Sequence, residues 1–323
     1  MKENRINLRS KMRGAVVGFA FGEALGYGTE FMTRQQVRTY YPGGLREFSQ
    51  IIRDAHRSQR KRGEPGHETR MLSTMSETFL KEGKFDIRVL ARKFKQWLAT
   101  VESDYPAIIP VICMTPGWEE NPVATAHKVW HERNIREASN EALPRGILAA
   151  IISNEKDMAE NTRKLVLMTN DDSRCLATTM MIATMISKLL YEDREATYDE
   201  LAEIGRRIDP RTLHYLEKAY EGDIYSLKVD DEETQCWTRK STAAALWGLR
   251  HGKDAADSIF RVVDLGGDSD NNAAIVGSMV GIKYGYEALP EEKEKLIGLD
   301  GLIDIADKLC DLIKEREKIA DDE

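Results

Sequence analysis

The stretch Gly266–Gly285, GGDSDNNAAIVGSMVGIKYG, sets Asp268 and Asp270 between a glycine pair and a run of small and apolar residues. Two kinds of chemistry suit acids in that place. A glycine pair ends one helix, and an acid at the start of the next meets its free backbone N–H groups, so Asp268 fits an N-cap. Capping accounts less well for the second acid and leaves Gly277, Ser278 and Gly281 unexplained. Such small residues let a helix lie close to another backbone at the expense of helix propensity. Two carboxylates fixed on the first turn of that helix form a platform for a hard cation, magnesium or manganese rather than zinc. Residue types alone leave cap and metal equally open.

Two further glycine-flanked acid sites occur. GAVVGFAFGEALGYGTEF, Gly14–Phe31, carries glycines at 14, 18, 22, 26 and 28 and closes on Glu30; RGEPGHETRM, Arg62–Met71, places His67 and Glu68 at the start of the helix that follows. Other chemistry-bearing residues have plainer readings. His127 and His131 lie four apart, a spacing that presents two rings on one helix face to a metal, but no third ligand is evident in sequence and a solvated face is expected. Asp171 and Asp172 either reach a cleft or cap the helix near Cys175, and capping is expected for at least one. Cys175 and Cys236 lack an activating pattern and read as packing residues. Trp237 and Trp247 read as core, as by default do Tyr27 and Phe31, although rings flanking Glu30 also suit stacking on a base or sugar. The basic run Arg53, Arg57, Arg60, Lys61 and Arg62 reads as a solvated loop, with phosphate steering as the alternative.

The elements that must position these residues are helical. Met71, Leu72, Met75, Phe79 and Leu80 form one stripe, Gly83 stops it, and Ile87, Leu90, Ala91, Phe94 and Leu98 form a second. The pattern recurs at CLATTMMIATMISKLLYED, STAAALWGLRHGKDAADSIFRVVDLG and GLIDIADKLCDLIKERE, while period-two alternation is rare. The expectation is an all-α globule of ten or more helices, one domain over residues 1–323. With 323 residues, 41% hydrophobic, the chain can bury a large core. A net charge of −7 gives no footprint for nucleic acid or an anionic membrane. No run approaches the ~18 apolar residues that span a bilayer. The four cysteines show no CxxC spacing, which points away from a zinc site or a disulfide framework and toward a cytoplasmic protein.

Taken in order, the three glycine-flanked motifs resemble those of the ADP-ribosylglycohydrolase superfamily, which includes the ADP-ribosylarginine hydrolases and a crystallin branch. GEALGYGTEF is similar to the family's GDALGxxxEF, with Glu23 for the Asp; GEPGHETRM to GEWTDDTxM; and GGDSDNNAAIVGSMVGIKYG to GGDTDTNAAIAGAxAGxxYG. SNEALPRG stands at the place of NGAxMR and MTNDDSRC at that of THPDPRC, so the resemblance runs from about residue 12 to 290. It implies a compact all-α fold with magnesium or manganese, one or two ions, in a cleft where water attacks the anomeric carbon of an ADP-ribose-like group on a small-molecule or protein acceptor. Residue by residue, it implies catalytic roles for Glu30, Asp268 and Glu68, metal ligation by His67, Glu68, Asp268, Asp270 and Asn271, and substrate contacts from Asn140, Asn170, Asp172, Gly267 and Ser269. The second motif departs from the pattern: Gly66, His67 and Glu68 replace Thr, Asp and Asp, and Asn271 replaces a Thr in the third. These changes lower the site's negative charge and, with His67, extend the metal choice to other divalent ions. Two expectations follow: a hydrolase of a ribosyl N- or O-glycosidic bond with an altered metal centre, or an inactive relative that binds such a ligand or is structural.

Overall fold

The helical period is realised throughout the described residues: a computed structural model describes residues 6–100 and 108–322, with side chains as far as 315. The helices are α1 (Leu8–Gly26), α2 (Arg34–Tyr40), α3 (His67–Glu82), α4 (Ile87–Leu98), α5 (Ile108–Cys113), α6 (Pro122–Glu132), α7 (Leu143–Ile152), α8 (Glu155–Leu167), α9 (Ser173–Tyr191), α10 (Tyr198–Ile208), α11 (Leu213–Glu221), α12 (Thr238–His251), α13 (Ala255–Val263), α14 (Ser269–Tyr284) and α15 (Leu299–Asp322). Among the described residues there is no strand, only one antiparallel bridge between Ser139 and Trp237. The all-α expectation holds.

Local rules account for the boundaries. Gly83 ends α3 in the left-handed region at φ 68°, and Asp86 opens α4 by accepting a 2.9 Å hydrogen bond from the Arg88 N–H. Buried Met71, Met75 and Phe79 of α3 face buried Leu90, Ala91 and Phe94 of α4, the pair of stripes read from the sequence. The single pattern expected over STAAALWGLRHGKDAADSIFRVVDLG is broken at Gly252 into α12 and α13.

The centre of the molecule is α1 laid antiparallel against α14. Along α14 every residue from Ser269 to Ile282 is buried, so this helix has no solvent face. Opposite each other stand Gly14 and Gly281, Gly18 and Gly277, Gly22 and Ala273, Gly26 and Ser269. A Cβ added at Gly14, Gly18 or Gly22 would sit 1.9 to 2.2 Å from the facing carbonyl oxygen, so the backbones touch and no side chain fits between them. The four-residue spacing of small residues in both segments therefore encodes this contact. Around the pair, α13 and α12 pack on α14, α15 on α1 and α3, and α7 on α8 and α9.

Candidate metal centre

The close pair brings the C-terminal end of α1 beside the N-terminal end of α14, and a backbone latch fixes the turns that follow and precede them. Phe31 N–H donates to the Gly267 carbonyl at 2.7 Å, and Gly267 N–H returns a bond to Met32 at 2.8 Å. Gly266 and Gly267 lie at φ 72° and 66°, and a Cβ on either would strike Met32 or Val229 carbonyl oxygen within 2.3 Å. The Ser269 hydroxyl donates to Gly26 carbonyl at 2.9 Å and accepts from Thr29 at 2.9 Å, closing the joint from inside. Gly267 and Ser269, the two residues expected to meet substrate, thus also build the turn through these bonds.

On this joint carboxylate oxygens of Glu30, Asp268 and Asp270 converge within 4.8 Å of one another, all three side chains buried. Asp268 occupies the N-cap position of α14 without making a capping bond. Its Oδ2 instead accepts from Asn140 Nδ2 at 2.5 Å, and the same amide nitrogen donates to Ser241 Oγ at 2.6 Å. Asp270 Oδ1 accepts from the Asn271 N–H at 2.8 Å. Burial, and then the nearby Asp270, pushes both Glu30 and Asp268 well above the usual carboxylate range. Glu30 Oε2 lies 2.7 Å from His56 Nε2, whose ring is held below its ordinary pKa by burial and by Arg57. Oxygens crowded this way fit a hard divalent cation. One more oxygen on the same first turn supports the fit: Asn271 Oδ1 is buried with no hydrogen-bond partner in the structure.

The second motif is arranged differently from its expected role. Gly66 has no side chain with which to cap α3, and Glu23 reaches across from α1 to do so, accepting from the Glu68 and Thr69 N–H groups at 3.1 Å each and from the Thr69 hydroxyl. A Cβ at Gly66 would fall 2.3 Å from Glu23 Oε1 and 2.4 Å from an Arg60 nitrogen, so Glu23 and Arg60 occupy the room that a threonine there would need. His67 turns its Nε2 to Glu68 Oε1 at 2.7 Å rather than to the three-acid group. Burial alone would lower the His67 pKa, but the Glu68 carboxylate raises it to about 9, and the same ion pair holds Glu68 below the usual range against its own burial. In this arrangement the His67 ring pairs with the Glu68 carboxylate, the residue next to it on the first turn of α3.

Arg60 is the largest departure from the sequence reading. In place of a solvated loop, the basic run folds inward at two points. Arg57 is buried, with Nε donating to Gly28 carbonyl at 2.8 Å and a second nitrogen to the Glu30 carbonyl. Arg60 lies 3.7 Å from Asp270 and 4.4 Å over the Tyr27 ring, with 9% of its side chain exposed. Its charge faces Asp270, Glu23, Glu30 and Glu68, which keep it protonated in spite of burial. A basic run abutting an acid-bearing motif was the only sequence signal for this.

Other expected residues are placed with clear roles. Asn170 accepts 2.7 Å bonds from Arg145 and from the Thr169 hydroxyl and is held inside the protein. Asp172 caps α9 through the Arg174 N–H at 2.7 Å, the capping role expected for one of the two aspartates. Tyr27 and Trp247 are core, but Phe31 is 52% and Trp237 37% exposed, against the core reading. Cys236 is half-buried, and burial with Asp268 nearby raises its thiol pKa.

A model of the family described as ADP-ribosylglycohydrolase matches residues 4–319. The chain belongs to the ADP-ribosylglycohydrolase family. It is 24% identical over 315 residues to ADP-ribosylarginine hydrolase Tri1 of Pseudomonas putida, covering 93% of this chain and 78% of that one. The Tri1 of Serratia proteamaculans is 21% identical over 313 residues, covering 95% and 81%. A solved structure described as an ADP-ribosylglycohydrolase-related protein complex superposes with a TM-score of 0.73 at 22% identity, over 94% of this chain and 98% of that one. That likeness carries the fold.

Proposed function

We propose that this protein is a metal-dependent glycohydrolase that cleaves the bond between an ADP-ribose-like group and its acceptor, using one divalent ion, magnesium or manganese, at Glu30, Asp268 and Asp270. The observation that carries this reading is the convergence of those three buried carboxylates on the α1–α14 joint. When bound there, a hard cation supplies an acidified water and a template for ribose hydroxyls. The chain's own residues do the rest. Asn140 orients Asp268, and the latch between Phe31–Met32 and Gly267 fixes Glu30 relative to it. Glu30, hydrogen-bonded to His56, accepts a proton from the attacking water through its carboxylate. Phe31, exposed at φ 58° next to Glu30, offers a ring face to a base or sugar.

Arg60 supports a single ion rather than two. Its fixed positive charge neutralises part of the acid cluster, and the His67–Glu68 pair neutralises more, so fewer mobile cations are needed for charge balance. The same two cations also favour a second reading, in which the cleft binds the pyrophosphate of an ADP-ribose-like ligand without a metal and without turnover.

Titration calorimetry of metal-free protein with manganese and magnesium, with and without ADP-ribose, separates the two. One ion per chain, bound more tightly with ADP-ribose and accompanied by release of arginine from an ADP-ribosyl-arginine conjugate, supports the hydrolase. Ligand binding that needs no metal supports the binding protein.

A further inference from the structure

Outside the proposed centre, one cluster assembles ligands of a different type. His127 and His131 lie one turn apart on α6, and both turn toward one oxygen of Asp171: His127 Nδ1 is 2.6 Å and His131 Nε2 3.8 Å from Asp171 Oδ2. The two rings are 4.2 Å apart between centroids, and one ligand atom from each of the three residues lies within 4.8 Å of the others. The sequence lacked a visible third ligand because Asp171 is forty residues from His131 and reaches it only through the fold.

The two sides of this cluster are held in register by bonds that do not involve it. Trp130, between the histidines on α6, donates its indole N–H to the Thr169 carbonyl at 2.7 Å, two residues before Asp171. Trp118 does the same to the Met168 carbonyl at 2.7 Å. Asp171 itself stands between Asn170, held by Arg145, and Asp172, the cap of α9. Both ligand-bearing segments are therefore rigid. Zinc held by two imidazole nitrogens and a carboxylate oxygen at about 2.0–2.2 Å needs ligand atoms roughly 3.3 Å apart. Shortening 3.8 Å and lengthening 2.6 Å to that value requires only small rotations of rings whose side chains are 62% and 69% exposed.

We infer that His127, His131 and Asp171 form a surface site for a borderline divalent metal of the zinc, nickel or copper type, separate from the acid centre. Two imidazoles and one carboxylate select such ions over magnesium, and the exposed face leaves the remaining positions to water or to a partner's ligand. An ion there would cross-link α6 to the turn that opens α9.

The test counts zinc by equilibrium dialysis on the full chain, wild type beside His127→Ala/His131→Ala and, separately, Asp171→Asn. The inference expects the wild type to hold one zinc more per chain than the double variant. It expects Asp171→Asn to weaken that increment by about tenfold or more, at least the cost of losing a supporting group in known sites. Nickel should compete for the increment and magnesium should not. Equal zinc uptake by the wild type and the double variant, with unchanged circular dichroism, overturns it, as does competition by magnesium. Because these residues lie outside the acid cluster, loss of metal at Glu30, Asp268 and Asp270 in an Asp268→Asn/Asp270→Asn protein leaves the zinc difference intact.

Discussion

A guanidinium 3.7 Å from Asp270 repels any divalent ion that the same carboxylate holds. Arg60→Met, which keeps the aliphatic stem over Tyr27 and removes the charge, should therefore tighten manganese binding by about tenfold, near 1.4 kcal/mol. Calorimetry reads this directly; an unchanged or weaker affinity would falsify the counter-ion role. Asp268→Asn/Asp270→Asn should abolish binding and turnover while far-ultraviolet circular dichroism stays that of the parent, and retained activity would move the centre elsewhere. Phe31→Ala should raise KM for an ADP-ribosylated substrate severalfold with little change in melting temperature, since the ring is half exposed and packs chiefly on His56. At this scale the sequence was only partly legible. Asp268, Asp270 and Glu30 stand in glycine-marked frames, and the structure brings these three acids together. Arg60 lies in a loop with no period, and the direction in which His67 points depends on a partner, Glu68, that is its own neighbour and gives no spacing signal.

At the scale of elements, the joint between α1 and α14 is built of backbone against backbone. Gly18→Ala puts a methyl 2.2 Å from the Gly277 carbonyl oxygen and forces two central helices apart. It should cost about 3 kcal/mol or more in urea unfolding and loosen metal binding with it; full stability in that variant would mean the helices separate easily. A second junction joins α9 to α10. Asp209 is buried and accepts from Ser173 at 2.6 Å and from Arg211 at 2.6 and 2.9 Å. Burial would raise its pKa, but the Arg211 and Ser173 bonds bring it down to about 2. A depressed folded value means stability that is present above the unfolded pKa of about 3.9 and lost as pH falls through the folded one. Asp209→Asn should thus cost roughly 1–2 kcal/mol at pH 7, discounted because Arg211 is largely exposed, and nearly nothing near pH 2. Chemical denaturation at the two pH values checks the sign. The helices themselves were readable from their stripes and stops, and glycines every four residues announced close packing in both segments. What no local pattern revealed was that these two segments pack on each other.

For the whole molecule, the proposed ion at the joint would tie stability to metal. With manganese at a hundred times its dissociation constant, linkage adds about 2.7 kcal/mol, worth roughly 5 °C in a chain of this size. A melting scan should show that rise in the wild type and not in Asp268→Asn/Asp270→Asn. The all-α architecture and the family frame were legible from composition and motif order, because both depend on short-range pattern repeated along the chain. The order of those motifs has a temporal meaning as well. During synthesis α1 emerges well before its mate, with its row of glycines facing nothing, and α14 follows about 240 residues later. Glu30 and the two aspartates therefore meet only when nearly all of the helices have been made. A product that stops before α14 would carry Glu30 and one half of the joint without Asp268 and Asp270, so the acid cluster cannot assemble until both distant segments are present.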